Sequence, residues 1–423
     1  RGPAGDHSCH ASSYLTLQKL RVRIVVDLTA PGCERRDDCR IETPEFHLRP
    51  GLNIISRKAA SLFCANMSGT ATPVIAFLCF VSSFVAAGLL TRIQLLPDRP
   101  NPRSMHTRVT PRSGGLSLQV PFLMAIAYFA WRDGWSAHVL AVLVGSTAFS
   151  LLGLVDDAIQ LSAGSRLVFQ IAAASLLCYY AAPDSVQILD LLVVSGPPAL
   201  AFQILWTVVC INFFNFMDGM DGLAGFQAFW FTFVGGWFIM LTAGDSPVIG
   251  RGLLCLSASL LAFLLWNLRP STLFMGDSGS YFLGFLIGFL PLVWGHPEPR
   301  GPLLKWQPDE IAGGLDFTLG LLLFAPFLLD ATLTIFRRLS DRHNIFSAHR
   351  THLYQLLRQN GWSVSRVLVL YQIANLVCAG IAVWRERANV TADYFAAGLF
   401  LFAVVVTFIF SAATRYLLSK KAA

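Results

Sequence analysis

The sequence predicts an all-α polytopic membrane protein, and two features support this fold: the composition and the length of the apolar blocks. Of the 423 residues, 54% are hydrophobic and 13% are charged, whereas a soluble domain carries about 25% charged residues. The apolar residues are concentrated in blocks close to the length of about 20 residues that a helix needs to cross a bilayer. This distribution excludes a disordered chain and a small disulfide-rich scaffold.

Residues 1–66 differ from the rest of the chain. They hold 17 of the 57 charged residues, contain no block of spanning length, and contain no methionine before Met67. We expect this basic segment to be disordered, or to be upstream sequence that the native protein lacks. The alternative is a genuine extramembrane extension. The membrane-embedded domain is therefore expected to comprise residues 67–423.

Eleven apolar blocks after Met67 are candidate membrane-spanning helices. They cover residues 73–91, 116–131, 138–155, 167–182, 198–214, 223–242, 249–267, 281–296, 315–336, 366–384 and 393–414. Cytoplasmic loops carry an excess of Lys and Arg. The loops after the odd-numbered spans and the C-terminal tail, counted with Arg366 at the start of the tenth span, hold 16 such residues; the opposite loops, counted with Arg251 near the start of the seventh span, hold 6. We therefore expect the helical bundle to begin outside and the C-terminus to be cytoplasmic.

The first cytoplasmic loop is rich in arginine, proline and glycine. It contains Arg103, His106 and Arg112, followed by the pair Gly114 and Gly115. Arginine offers forked donors that suit phosphate oxygens, and we expect the paired glycines to let backbone N–H groups approach a ligand. The alternative is a basic loop that lies on anionic lipid headgroups.

The second cytoplasmic loop begins with two adjacent carboxylates, Asp156 and Asp157, at the end of an apolar block. Adjacent residues on a helix point about 100° apart, and charged groups at a membrane face are costly unless a cation or a proton compensates them. One acid could bind a metal while the other orients a ligand or accepts a proton. The alternative is a solvated helix end, although acids there oppose the helix dipole.

The third cytoplasmic loop carries polar residues at every third position: Asn212, Asn215, Asp218 and Asp221. On a helix or a tight 3₁₀ turn these side chains line one side. Two Asp-Gly pairs then interrupt the helix. A row of two amides and two acids indicates recognition of a metal, a nucleobase or a ribose, and a helix cap would explain Asp218 alone.

The fourth cytoplasmic loop contains Asn267 and, further on, Asp277 between glycines and hydroxyl residues. Asp277 could be a simple N-cap. It could equally hold Mg²⁺ through one carboxylate, with water and phosphate oxygens as the other ligands.

The fifth cytoplasmic loop contains His349, Arg350 and His352. Two histidines without a nearby cysteine do not favour a zinc site, but with Arg350 they suit a pyrophosphate. Asp330 lies inside the preceding span. An acid in that position indicates a functional site or a structural ion pair with a neighbouring arginine.

The order of these five loops resembles the polyprenyl-phosphate N-acetylhexosamine-1-phosphate transferase family, also called the glycosyltransferase 4 family. The resemblance covers essentially residues 73–415. Within the family, the sequence is most similar to the bacterial undecaprenyl-phosphate sugar-1-phosphate transferases that initiate O-antigen or enterobacterial common antigen synthesis. The matching motifs are the Arg103 to Gly115 loop, the Asp156-Asp157 pair, the Asn212 to Asp221 row, Gly276-Asp277-x-Gly279-Ser280 and His349-Arg350-x-His352.

The resemblance implies an enzyme that uses Mg²⁺, or Mn²⁺ as a substitute, to join a UDP-N-acetylhexosamine to undecaprenyl phosphate. It implies catalytic roles for Asp156, Asp157 and Asp277. Asp277, with Asp221, Asp218 or Asn215, would hold the metal. The substrates would be bound by the residues of the five loops: Asn212, Asn215, Asp218, Asp221, Arg103, His106, Arg112, Asn267, His349, Arg350 and His352.

The resemblance also implies a multi-pass protein of the bacterial cytoplasmic membrane with its active site on the cytoplasmic face. It involves no nucleic acid partner and is compatible with a homodimer. Two alternatives are kept. One is the phospho-N-acetylmuramoyl-pentapeptide transferase of peptidoglycan synthesis, whose relatives carry three consecutive histidines in the last loop. The other is a lipid-linked sugar flippase, which should show polar residues in mid-span and internal repeats.

Overall fold

The computed structural model contains two compact units, Arg1–Met67 and Ser68–Ala423. In the first unit, strand β1 (Leu15–Thr16) pairs antiparallel with β2 (Arg23–Ile24). Most of residues 1–66 lie outside the described part of the chain, so the expectation for that segment stays a prediction. In the second unit the structure describes residues 71–98, 109–188, 192–242, 248–268, 271–294, 317–343, 350–388, 410 and 412–416.

The second unit is built from helices joined by short loops and two short hairpins. The helices are α1 (Ala71–Ile93), α2 (Gly114–Asp133), α3 (Ala137–Ile159), α4 (Ala163–Ala181), α5 (Pro197–Met217), α6 (Leu223–Thr242), α7 (Val248–Asn267), α8 (Gly276–Val293), α9 (Phe317–Ser340), α10 (Leu353–Gln359) and α11 (Val364–Ala388). Strand β3 (Pro97–Asp98) pairs with β4 (Thr110–Pro111), and β5 (Ser185–Ile188) pairs with β6 (Leu192–Ser195).

Within the described ranges, nine helices are long and apolar enough to cross a membrane, namely all of those above except α4 and α10. The prediction of an all-α polytopic membrane protein is therefore confirmed. Helix α4 occupies the fourth predicted span but is not one of the nine, and most of the last predicted span, 393–414, lies outside the described residues. The count of eleven spans and the orientation of the termini stay predictions.

Helix α8 is the centre of the bundle. In its spanning window, 89% of the residues are buried, and it packs against α2, α3, α5 and α9. Small residues allow this close packing, as is common between membrane helices. A Cβ atom added at Gly284 would lie 2.7 Å from Cα of Ile211 on α5, and one at Gly145 on α3 would lie 2.2 Å from the ring of Phe285.

The end of α3 touches the start of α8 through backbone atoms. A Cβ atom added at Gly153 would lie 2.1 Å from the carbonyl oxygen of Asp277. Asp156 and Asp157 follow within one helical turn of this contact. The glycine therefore brings the adjacent carboxylates of α3 to the first turn of α8.

We expect Gly153→Ala to destabilise the protein strongly, because the added methyl group meets backbone that cannot rotate away. Overpacking of a well-packed interior costs about 1–3 kcal/mol or more. Thermal unfolding of the purified protein measures the effect. The control is Gly380→Ala in α11, where an added Cβ meets nothing within 4 Å. Equal melting temperatures for the two variants would contradict the contact.

Candidate active site

The site is centred on Asp277, the second residue of α8. Its Oδ1 accepts a hydrogen bond of 2.7 Å from Nδ2 of Asn215, near the end of α5. The same amide nitrogen lies 2.8 Å from the hydroxyl oxygen of Ser280. The structure thus brings together two residues predicted to hold a metal, although 62 positions separate them.

The two adjacent carboxylates of α3 have different partners. Asp157 Oδ2 accepts from the backbone N–H of Ser278 at 3.1 Å. Asp156 Oδ2 accepts from the hydroxyl group of Tyr281 at 2.7 Å and from Nη1 of Arg166 at 2.9 Å. The backbone N–H of Leu161 donates to Asp156 Oδ1 at 2.8 Å. The charge conflict expected from the sequence is therefore relieved by an arginine on one side and by a helix N-terminus on the other.

The turn after α5 holds the remaining two acids. As predicted, the helix ends at Met217, before the first Asp-Gly pair, and α6 begins at Leu223. Gly222 has φ +78°, in the left-handed region that glycine adopts without strain. The row of polar residues is therefore helical only up to Asn215, and Asp218 and Asp221 are placed by the turn.

The carboxylate of Asp218 stands in a like-charged environment. Burial raises the pKa of Asp218 well above its ordinary value, and three neighbouring carboxylates add to the shift. These neighbours are Asp277, Asp157 and Asp221. Aspartates from three separate segments therefore lie within electrostatic range of Asp218, and we call these four residues the acid cluster: Asp157, Asp218, Asp221 and Asp277.

Two predicted substrate contacts use their amides within the chain. Asn212 Nδ2 donates to Oε1 of Gln170 on α4 at 2.7 Å. Asn267 accepts at 2.7 Å from the backbone N–H of Gly222 and donates at 2.9 Å to the carbonyl of Leu273. Asn267 thereby joins the loop before α8 to the turn before α6. Contact of either asparagine with substrate stays a prediction.

The paired glycines of the first loop have a structural role that differs from the expected one. The N–H of Gly114 donates to the carbonyl of Phe274 at 2.9 Å, and the N–H of Gly115 donates to the carbonyl of Met275 at 2.8 Å. The interpretation that these groups approach a ligand is therefore wrong, because they already bind the segment that leads into α8. A Cβ atom at Gly115 would lie 2.3 Å from Cα of Gly279, so glycine is required by packing.

The basic residues of the first loop are only partly described. Arg112 is near the acid cluster, where its charge acts on Asp157, and it forms an ion pair of 2.7 Å with Asp98. Arg103 and His106 lie outside the described residues.

The fifth loop is fixed by Asp330, which is buried inside α9. Its Oδ1 accepts from the backbone N–H of Leu353 at 2.9 Å and lies 3.5 Å from Nδ1 of His352. The hydroxyl group of Tyr371 on α11 also donates to Asp330. The acid therefore contacts a histidine of the fifth loop, and its charge also acts on the neighbouring Arg337. This contact orients α10. Arg350 is exposed, and His349 lies outside the described residues.

Tyr354 connects this loop to the turn of the acid cluster. It is fully buried, and its hydroxyl group donates to the carbonyl of Phe216 at 3.4 Å. A Cβ atom at Gly219 would lie 2.2 Å from the tyrosine oxygen. Burial raises the pKa of the Tyr354 hydroxyl group, so it remains a proton donor.

The acid cluster has the chemistry of a Mg²⁺ site. Among the described residues, no group of three or more His, Cys, Asp or Glu side chains is arranged so that it could hold a metal ion by itself. Mg²⁺ does not require one, because it is usually held by one or two carboxylates together with water and substrate phosphates. Burial is the main cause of the raised pKa of Asp218, and a cation between Asp277 and the turn acids would offset the repulsion that adds to it. The residues therefore fit this metal.

Several contributors to the site were missed in the sequence. Arg166 counted only as one loop charge, and Tyr281 and Gln170 read as parts of apolar spans. Their partners are 10, 125 and 42 positions away. A local sequence pattern cannot reveal the two longer contacts. Only the contact of Arg166 with Asp156 has a local signal, which is a basic residue in the first turn of the helix that follows a pair of acids.

A known protein family matches the part of the chain that contains the acid cluster. Residues 139–295 match the model of glycosyl transferase family 4. The match includes the adjacent acids of α3, the turn acids and Asp277.

The relatives are similar along most of the chain. The probable undecaprenyl-phosphate N-acetylglucosaminyl 1-phosphate transferase of Bacillus subtilis (strain 168) is 26% identical over 285 residues, which are 65% of this chain and 74% of the relative. The undecaprenyl-phosphate alpha-N-acetylglucosaminyl 1-phosphate transferase of Salmonella typhi is 26% identical over 332 residues, 76% of this chain and 84% of the relative. These matches support the resemblance of the chain to the polyprenyl-phosphate N-acetylhexosamine-1-phosphate transferase family.

The transferase is also similar to the phospho-N-acetylmuramoyl-pentapeptide-transferase of Thermotoga neapolitana. This relative is 28% identical over 252 residues, which cover 57% of this chain and 75% of the relative.

We expect Asp218→Asn to stabilise the transferase when divalent cations are removed. The native pKa of Asp218 is raised, so its favourable contribution is fully present below the unfolded pKa and is lost as the pH rises through the native pKa. The amide does not ionise. With a chelator present, its melting temperature should therefore exceed that of the wild type at neutral pH and converge with it in acid.

The matched control is Asp341→Asn, which removes an exposed carboxylate. It should follow the wild-type pH dependence. A lower melting temperature for Asp218→Asn at neutral pH would contradict the charge repulsion within the acid cluster.

Proposed function

We propose that the transferase moves an N-acetylhexosamine-1-phosphate from a UDP-sugar to undecaprenyl phosphate. The products are undecaprenyl-pyrophosphoryl-sugar and UMP. The observation that carries this proposal is the meeting of Asp277, Asn215 and the turn acids where membrane helices begin and end. Relatives that share this region are named for transfer to undecaprenyl phosphate or decaprenyl phosphate.

The reaction is a phosphoryl transfer. An oxygen of the lipid phosphate forms a bond to the β-phosphorus of the UDP-sugar, and the bond from that phosphorus to the bridging oxygen breaks, which releases UMP. Catalysis of such transfers depends mainly on positioning and on neutralising charge. A lipid phosphate is already largely ionised at neutral pH, so positioning can suffice without a general base.

The acid cluster would hold Mg²⁺ through Asp277, with Asp218, Asp221 or Asn215 as further contacts. When bound, the metal neutralises charge on the pyrophosphate. Asp157 would orient the lipid phosphate or take its proton. Asp156, which the sequence left as an equal candidate for that role, has both carboxylate oxygens engaged by other groups.

The basic residues around the acid cluster would bind the phosphates. Arg112 stands beside Asp157, and His352 and Arg350 flank the start of α10, which Tyr354 connects to the same turn. His349, Arg103 and His106 are proposed for the same task from the sequence. Asn212 and Asn267 would act mainly by fixing the helices that carry these groups.

We place the protein in the bacterial cytoplasmic membrane, with its site on the cytoplasmic face. The lipid substrate stays in the bilayer and the nucleotide sugar stays in solution, so the reaction belongs at an interface. The excess of Lys and Arg in the loops on the side of the site supports the cytoplasmic side. The product would be the first lipid-linked intermediate of a surface polysaccharide such as O-antigen. UDP-N-acetylglucosamine is the first sugar donor to test, because the relatives are named for it, followed by the N-acetylgalactosamine, N-acetylfucosamine and N-acetylquinovosamine donors.

We expect the purified protein to release UMP from UDP-N-acetylglucosamine or another UDP-N-acetylhexosamine when undecaprenyl phosphate and Mg²⁺ are present. Asp277→Asn should lower the rate by at least about a hundredfold, as removal of one charge-stabilising group does in other enzymes. Chelation of divalent cations should abolish the wild-type reaction, and Mn²⁺ should restore it.

The control variant is Asp184→Asn, an exposed carboxylate beside the β5–β6 hairpin. It should keep wild-type activity. A flippase would release no UMP under any condition, and release from UDP-N-acetylmuramoyl-pentapeptide alone would assign the peptidoglycan reaction instead. Full activity of Asp277→Asn would remove that residue from the site.

A further inference from the structure

Arg166 is held in a fixed position beside the acid cluster. It lies in the first turn of α4, and its Nη1 donates to Asp156 Oδ2 at 2.9 Å and to the hydroxyl oxygen of Tyr281 at 3.3 Å. Its charge also acts on Asp277. Within the described part of the chain, no side chain or carbonyl binds its other guanidinium nitrogens. The side chain keeps 32% of its surface exposed.

The surface next to Arg166 is apolar and exposed. Leu167, Val168, Phe169 and Ile171 are all exposed, and Val168 is 69% exposed. An arginine near the end of an apolar helix can reach the headgroup layer of a bilayer. Arg166 stands between the exposed apolar surface of α4 and the acid cluster.

We propose that Arg166 binds the phosphate group of the polyprenyl phosphate substrate, and that Asp156 and Tyr281 hold its guanidinium group in position. This inference rests on the proposed function, because it assigns the lipid substrate to one residue of that site. The free edge of a guanidinium group donates two parallel hydrogen bonds to phosphate oxygens. The apolar face of α4 would accommodate the first isoprene units of the same molecule.

The adjacent carboxylates then have different roles. Asp156 is 4% exposed, and both of its oxygens accept hydrogen bonds from groups of the protein. It is therefore a positioning residue that acts through Arg166. Among the described residues, Asp157 accepts hydrogen bonds from the backbone at the start of α8 and is acted on by the charge of Arg112. We therefore assign it as the acid of the pair that meets the substrate.

Steady-state kinetics test the assignment. Arg166→Gln should raise the KM for undecaprenyl phosphate about ten- to a hundredfold, which corresponds to one charge-assisted hydrogen-bonding group. The KM for the UDP-sugar should be unchanged. Arg166→Lys should recover part of the loss, because it keeps the charge without the forked geometry. Tyr281→Phe and Asp156→Asn should raise the same KM more than they lower kcat. Arg92→Gln, an exposed arginine at the end of α1, should leave both KM values at the wild-type level.

A binding measurement keeps the test independent of turnover. Undecaprenyl phosphate should raise the melting temperature of the wild-type protein more than undecaprenol does, and Arg166→Gln should abolish that difference. An unchanged KM for the lipid, or a rise in the KM for the UDP-sugar alone, would overturn the assignment. If the wild type releases no UMP from any UDP-sugar, the proposed function fails, and the difference between the two lipids still decides whether Arg166 binds the phosphate.

Discussion

Repulsion between carboxylates at the edge of a membrane is the constraint on which this structure depends. Aspartates from α3, from the turn after α5 and from α8 converge in one cluster. Such an arrangement is costly without compensation. The protein offsets the cost with an amide, a helix N-terminus and an arginine, which leaves the remaining charge available for a cation. Binding of a cation in the acid cluster would therefore change both the stability of the protein and the chemistry of the site.

The helices around this cluster are held by backbone contacts that only glycine allows. Gly153, Gly115 and Gly276 each bring one segment against another at a distance that a Cβ atom would prevent. Gly276 has φ +73°, and a Cβ atom there would lie 1.9 Å from the carbonyl oxygen of Arg112. The glycine-rich motifs are therefore the places where helix ends pack closely against one another. These close contacts determine where the helix ends place the acids.

Much of the fold could be predicted from the sequence, because the length and hydropathy of a spanning helix are local properties. The acids were also found locally, from the regular spacing of Asn212 to Asp221 and from the Asp156-Asp157 pair. The partners of these groups could not be found in that way. Arg166 and Tyr281 meet Asp156 only because α3, α4 and α8 pack together, and Asp330 binds His352 across a helix and a loop. The role of Gly114 and Gly115 was misread for the same reason, since their partners lie at Phe274 and Met275.

The burial of α8 has a consequence for biosynthesis. Chains are inserted from the N-terminus as they are made, so α3 and α5 enter the membrane well before the helix that separates and supports them. Until α8 arrives, Asp157 lacks the backbone amide that it binds, Asn215 lacks its carboxylate partner, and Gly145 and Gly153 on α3 lack the helix against which they pack. Assembly of the bundle and completion of the acid cluster are thus one event, and the last partner to arrive is the helix that carries Asp277.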